Sequence, residues 1–428
     1  MKLFGGVIPI TGLTFFMFSI FAIIAVGFAL GRITIKGVSL GDAGVFIMAL
    51  VFGCLFYKQL EAQLVIKNGL GIVIANYTKE ALKIVENLGL ILFVTSVGFI
   101  AGPKFFSNFK KNFKSYVVLA LVVILAGGLS AIGCIYFGRI VMNEANHEEF
   151  TAMIVGLLSG SLTSTPAFSA AKATVAEIYE DAVSVGHGIA YIFGVIGVVL
   201  FVQIIPKMLK ANMDVERAKL AESSASAKEN NDNTAHKKAK KFKIIDIDGH
   251  GFAAFALAAI VGSIRGAIKI PLSAKGLDGV CFSLTTTGGC LLTSLIFGHF
   301  NHIGPVNIMP KESTLKIFKE LGLILFLVGA GIAGGAKFIE LFQVSYFIYG
   351  IVMTIVPMIV GFIFAKYVLK LSLLNNLGSL TGAMTSTPAL GTLTGVAKTD
   401  DVAAAYAATY PIALIAVVLV SQALVLFF

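Results

Sequence analysis

Stretches of 18 to 26 residues without one charged side chain recur along this 428-residue chain, at Leu13–Leu30, Tyr116–Phe137, Tyr346–Phe364 and Ala403–Phe428. A helix rises about 1.5 Å per residue, so about 20 apolar residues cross the roughly 30 Å hydrocarbon core of a bilayer. No water is present there to satisfy backbone amides, so runs of this kind have to be helical. Composition agrees. Hydrophobic residues make up 57% of the chain and charged ones 13%, whereas a soluble domain is about a quarter charged. The sequence therefore predicts an all-α integral membrane protein whose first partner is the lipid bilayer. Leu13–Leu30 has no small-residue cleavage site after it and reads as a retained first span.

A net charge of +10 would suggest a nucleic-acid partner in a soluble protein. Here most Lys and Arg stand in loops between apolar runs, where the positive-inside rule accounts for them, and no nucleic-acid partner is expected. Cys54, Cys134, Cys281 and Cys290 lie inside apolar runs without CxxC spacing. They read as small hydrophobes, and neither a metal nor a cofactor is expected. No Ser-His-Asp set, HExxH or carboxylate pair lies at membrane depth, so no enzyme is expected. Apart from Asp42, deeply placed carboxylates also look absent.

One polar segment interrupts the apolar pattern. Residues 206–250, with Lys237, Lys238, Lys240, Lys241 and Lys243 at their heart, cannot bury a core and read as a basic cytoplasmic linker. They divide the chain into membrane repeats at 1–205 and 251–428. The halves are related in sequence. Leu82–Phe106 (LKIVENLGLILFVTSVGFIAGPKFF) matches Leu315–Ile339 (LKIFKELGLILFLVGAGIAGGAKFI), Gly44–Gly53 matches Gly289–Gly298, and Gly156–Phe168 (GLLSGSLTSTPAF) matches Gly378–Leu390 (GSLTGAMTSTPAL). Three matches in one order indicate a duplicated unit.

Loop charges decide how the copies are arranged. If Thr151–Lys172 dips into the membrane and returns, Lys104, Lys110, Lys111 and Lys114 fall inside, and Glu144, Glu148 and Glu149 outside. The same choice in the second half puts Lys366 and Lys370 inside, and leaves Arg265, Lys269 and Lys275 as misfits outside. Each repeat then has about five transmembrane helices plus one re-entrant or broken segment. An odd number of crossings inverts the second copy, an arrangement frequent in secondary transporters. The linker would be cytoplasmic and both termini outside.

The re-entrant candidates carry the same words, Thr163-Ser164-Thr165-Pro166 and Thr385-Ser386-Thr387-Pro388. Proline removes a backbone donor and blocks the preceding turn, and the hydroxyls before it serve an unwound stretch. Two such stretches entering from opposite faces would meet near the midplane and hold a small polar solute or ion. Ionisable residues inside the membrane point to function, which adds Lys104 and Lys337 at matching helix ends and Lys172 after the first motif. Each is a candidate cation for an anionic solute, against snorkelling or an edge position. His187 reads as a satisfied buried histidine. Tyr191 and Tyr410 occupy matching positions after the motifs, as cavity lining or as packing.

At these residues the sequence resembles the aspartate–alanine exchanger family of bacterial permeases. GFALGRITIKG with the run to Gly53, LGLILFVTSVGFIAGPKFF, GLLSGSLTSTPAFSAA, GSLTGAMTSTPALGTL and TYP at Thr409–Pro411 carry the likeness. The resemblance implies a homodimeric carrier of the bacterial plasma (inner) membrane that exchanges small carboxylates, such as aspartate for alanine or a succinate-like dicarboxylate. A cation-coupled carboxylate symporter is the competing carrier, and an ion channel the competing class. One departure stands out: the large cytoplasmic insert usual between the halves is replaced here by the short basic linker.

Overall fold

The computed structural model describes residues 2–3, 8–35, 38–39, 41, 43–67, 73–107, 113–141, 146–220, 245–271, 281–399 and 401–428. Asp42, Lys110, Lys111, Glu144, Lys275 and the linker lysines, all used above, lie outside these residues, as do the side chains of Lys104, Thr387 and Pro388.

The first half runs α1 (Gly12–Gly31), α2 (Ala43–Gln63), α3 (Thr78–Ser107), α4 (Phe113–Val141), α5 (His147–Ser161), α6 (Thr165–Thr174) and α7 (Glu180–Met208). The second runs α8 (Phe252–Ala267), α9 (Thr285–Phe300), α10 (Glu312–Leu341), α11 (Val344–Tyr367), α12 (Leu373–Ala383), α13 (Thr387–Ala397) and α14 (Val402–Phe427). Eight of these (α1 to α4, α7, α10, α11 and α14) are long and apolar enough to cross a membrane. Among the described residues strands occur only as five two-stranded hairpins, so the chain is an all-α membrane protein.

Small residues set the packing, as expected where lipid removes the hydrophobic drive between helices and close contact must replace it. A Cβ added at Gly89 of α3 would lie 2.6 Å from Gly322 O, and one at Gly322 of α10 the same distance from Gly89 O. These glycines are equivalent in the sequence repeat, so matching positions of the two halves touch each other. Farther along, Gly329 abuts Glu86, so α3 and α10 run antiparallel. The relation extends outward: Gly53 of α2 abuts Ile332 and Gly335, while its equivalent Gly298 abuts Phe99 and Gly102.

Helices α1 to α3 and α8 to α10 form one bundle, and α4 to α7 with α11 to α14 form another. The two meet where α7 touches α10 and α2, where α14 touches α3, and where α6 touches α9. Within the second bundle, Gly156 abuts Val183, Gly160 abuts His187 O, and Gly194 abuts Gly160 O. Contacts that advance together on α5 and α7 make those helices parallel, so α6 between them has to double back. In the other half, Gly378 abuts Val402 and Gly382 abuts Tyr406 O, which makes α12 and α14 parallel and folds α13 back likewise. Each half therefore has one helical hairpin that folds back beside the five other helices named above, of which α8 and α9 are only 16 residues long.

These directions sort the ends. Arg139 at the end of α4 donates to the Phe428 carbonyl and, at 2.7 Å, to Thr151 Oγ1. Gly12 N donates to Gln63 Oε1. Both chain ends thus share the end of the bundle at which α5 begins, together with Glu148, Glu149, Arg265 and Lys269. Lys114, Lys366 and Lys370 share the opposite end with the linker. The polar segment is itself structured where it leaves the membrane: α7 continues to Met208, and residues 213–220 are helical. There Glu216 accepts from Leu373 N at 3.0 Å, Arg217 donates to Ala397 O at 3.0 Å, and Leu220 is buried.

Candidate functional site

Both Thr-Ser-Thr-Pro segments break their helices in the same way. Thr163 and Thr385 take left-handed backbone, at φ 51° and 52°, a region that costs a β-branched residue about 1–3 kcal/mol. Such strain persists only where the surroundings over-determine it, and the surroundings here are the other motif. Thr163 Oγ1 donates to Met384 O at 3.1 Å, and Thr385 Oγ1 donates to Leu162 O at 2.8 Å. Leu162 and Met384 are equivalent positions, the C-caps of α5 and α12. Each threonine therefore satisfies the carbonyl that the other break leaves open, and the two hairpins meet tip to tip.

Pro166 sits in the first turn of α6, where its missing N–H costs no bond. Ser164 caps α6 by accepting from Ala167 N at 3.3 Å. In the second hairpin Ser386 makes no such cap; its Oγ is buried without a hydrogen-bond partner among the described residues. The N-termini of α6 and α13, each with a partial positive charge, thus start at the meeting point, beside one unspent hydroxyl. Thr163, Ser164, Thr165, Thr385 and Ser386 are all buried, and the structure brings them together.

The other sequence candidates scatter. Lys172 is buried, but Glu86 of α3 holds it at 2.8 and 2.9 Å through both carboxylate oxygens, so its charge is already matched. Glu86 overturns the expectation that deep carboxylates are absent: it is 8% exposed and bears on α6 from the neighbouring bundle. Packing by α6 covers it. Lys337 is 42% exposed and faces Asp181 at 3.9 Å, at the rim where α7 begins. Tyr191 lies 5.2 Å from the His187 ring, and Tyr410 stacks on Tyr406 at 5.1 Å.

His187 departs from expectation in half of its chemistry. Its Nδ1 lies 2.8 Å from Ser159 Oγ. Ser159 spends its own hydrogen on Gly156 O at 2.7 Å, so Nδ1–H is the donor and Nε2 is left as an acceptor. Nε2 is buried with no partner among the described residues. The ring stacks on Phe168 at 4.1 Å and meets Phe46 edge-on at 5.5 Å.

Sequence reasoning also missed Lys319 and Tyr406. They line a cavity of about 190 Å³ with Val97, Ile100, Ala101, Ala407, Tyr410 and Pro411. A signal existed: in the aligned repeats LKIVENLG and LKIFKELG, Lys319 stands where the first half has Glu86. A charge reversed between equivalent membrane positions marks both as special.

Comparison with known proteins agrees with the transporter architecture. Residues 19–207 and 254–426 match the Asp-Al_Ex family model, described as a predicted permease membrane region; the two blocks flank the basic segment. The chain is 26% identical to an uncharacterized transporter of Bacteroides thetaiotaomicron, covering 95% of this chain and 97% of that protein. It is 24% identical to one of Rhodopirellula baltica, covering 94% and 98%. The first alignment runs over 556 positions, more than this chain's 428 residues, so that relative is the longer protein. A duplicated, two-bundle membrane fold, matched by the family model in both halves, places the chain in the Asp-Al_Ex family of permease membrane regions, among the membrane transporters.

Proposed function

We propose that this protein is a secondary carrier that exchanges small carboxylates, of the aspartate, alanine or succinate kind, by alternating access. The reading takes the two halves as inverted repeats, with the linker cytoplasmic, both termini outside, and the chain in a bacterial inner membrane as a homodimer. The observation that carries it is the reciprocal pair of bonds from Thr163 to Met384 O and from Thr385 to Leu162 O. Two re-entrant breaks that meet offer helix N-termini and hydroxyls to a solute, and irregular backbone at membrane depth is tolerated where it lines such a site. Among the described residues the site carries partial positive charge without a fixed cation of its own, since Lys172 is matched by Glu86. That favours an anion held loosely enough to be released.

Alternating access follows from the two bundles. The bundle bearing both hairpins moves against the one formed by α1 to α3 and α8 to α10, and the Lys172–Glu86 pair ties them together at the end that holds the termini. Opening that end has to part the pair. Counterflow in liposomes tests the function: protein loaded with unlabelled aspartate, alanine, succinate or glutamate, with labelled solute outside. Uptake that requires an internal carboxylate is the expected result. A current that tracks an ion gradient, with no trans-stimulation, would replace the exchanger with the cation-coupled or channel reading.

A further inference from the structure

The cavity at Lys319 has a counterpart, and the counterpart is filled. The repeat equates Val97, Ile100 and Ala101 with Ala330, Ala333 and Gly334; Lys319 with Glu86; and Tyr406 and Tyr410 with His187 and Tyr191. In the first set of positions these residues line an open-sided cavity of about 190 Å³ between α3, α10 and α14. In the second, Ala330 is fully buried, a Cβ on Gly334 would meet Ser184 at 2.6 Å, Phe168 stacks on His187, and Lys172 neutralises Glu86. The helix that does the filling is α6. Its equivalent α13 leaves space at two positions: a Cβ added at Gly391 or Gly395 meets nothing within 4 Å.

The chemistry of the open copy is specific. One ammonium, two stacked phenols and an apolar wall from Val97, Ile100 and Pro411 line it. An ammonium and phenol hydroxyls donate hydrogen bonds to carboxylate oxygens, and charge-assisted bonds of this kind are strong where water is scarce. The apolar wall takes a short carbon chain. The cavity also adjoins a motif, since Gly382 of α12 abuts Tyr406 O and Thr409 Oγ1 three residues before Thr385. It lies at the linker end of the bundle, near the starts of α10 and α14.

We infer that this cavity is a binding site for a small carboxylate on its way to the hairpins, with Lys319 as the recognising cation and Tyr406 and Tyr410 as hydroxyl donors. The inference rests on the transport reading and adds to it a residue, a place and a side. Equilibrium binding of labelled aspartate and succinate to purified protein tests it, with Lys319→Met, Lys319→Arg and Tyr410→Phe compared with Lys316→Met on the exposed face of α10.

Loss of the charge-assisted bond should weaken binding about tenfold to a hundredfold in Lys319→Met. Lys319→Arg should retain most affinity, Tyr410→Phe should lose a few-fold, roughly one neutral hydrogen bond, and Lys316→Met should match the parent. Elution as a single folded species separates lost binding from lost folding, and Lys319→Arg provides a second, charge-preserving check. Parent-like binding by folded Lys319→Met would overturn this site while leaving carboxylate transport intact. Parent protein that binds neither solute would overturn both.

Discussion

The same sequence unit is packed in two ways within one molecule, and the difference lies in α6 against α13. In the first half α6 presses Phe168 against His187 and Phe326, sets Lys172 on Glu86, and brings Ser169 Oγ within 2.5 Å of Thr287 Oγ1 on α9. In the second, α13 carries Leu390, Gly391 and Thr394 at the matching positions. Leu390 packs near Val202, Leu220 and Leu374 instead, and a cavity remains beside α14. Where the repeat kept a large aromatic and a cation, the interface between bundles is closed; where it has a smaller residue, a glycine and a hydroxyl, it stays open. Two packings of one unit are what a two-state carrier needs.

The contrast can be broken most severely at its axis. Gly89→Leu or Gly322→Leu drives a side chain into backbone that already sits 2.6 Å from a Cβ, and the bundle of α1 to α3 with α8 to α10 is built around that crossing. Overpacking costs about 1–3 kcal/mol where neighbours can move. Here backbone of the partner helix in the same bundle is the obstacle, so we expect the larger outcome: loss of monodisperse protein on size exclusion. Recovery of either variant at parent yield would mean that the crossing is looser than the geometry states.

Charge gives the next effect. Lys172→Met strands Glu86 in a buried site and should cost about 3–5 kcal/mol, read as a lowered unfolding midpoint. Lys172→Met with Glu86→Gln should recover most of it. Lys319→Met, at a half-buried position beside a cavity, should cost less than Lys172→Met, which sits in a closed interface. Equal losses in Lys172→Met and Lys319→Met would erase the asymmetry.

A smaller effect separates Ser159 from Thr381, which occupy equivalent positions and bond Gly156 O and Gly378 O alike. Ser159→Ala also leaves the His187 Nδ1–H unpaired and should cost about 1–3 kcal/mol. Thr381→Val loses one side-chain bond and should cost about 0.5–1.5 kcal/mol. The ordering of the two midpoints is the check.

The smallest effect concerns how each half begins. Thr11 makes no side-chain cap on α1, whereas Asp248 accepts from the amides of His250, Gly251, Phe252 and Ala253 at the start of α8. Those amides, Ala253 N foremost, hold the Asp248 carboxyl down at about 2, below its usual 3.8. A carboxylate with a lowered folded pKa adds stability above its unfolded value, and that stability disappears as pH falls from about 4 to 2. Asp248→Asn should flatten the fall of the midpoint over that window and leave its value at pH 7 slightly reduced. A pH profile identical to the parent's would remove the cap from the account.

Much of this was legible in the sequence, for physical reasons. Apolar runs set the spans, and the Thr-Ser-Thr-Pro pairs showed where helices break, because proline and β-branched hydroxyl residues disrupt a helix whatever surrounds them. Loop lysines indicated that the motif segments fold back, and the parallel course of α5 and α7 bears that out. What stayed hidden depends on the partner of a residue. Glu86 drew no notice in the sequence because only the fold brings α6 over it, and Lys172 looked like a cation for a solute until Glu86 matched it. The open cavity at Lys319 could not be read from two nearly identical repeats, since it arises from how the copies differ in packing.

Counterflow of aspartate or succinate with Thr163→Val, Thr385→Val and the double variant tests the central claim, that the two breaks form one site. Valine keeps the shape and removes the hydroxyl that each hairpin lends the other. Because the bonds are reciprocal, either single variant should lower exchange by about tenfold or more, and the double variant should fall little further. Full exchange in both single variants, or losses that simply multiply in the double, would contradict a shared site and return each motif to a proline-bent helix on its own.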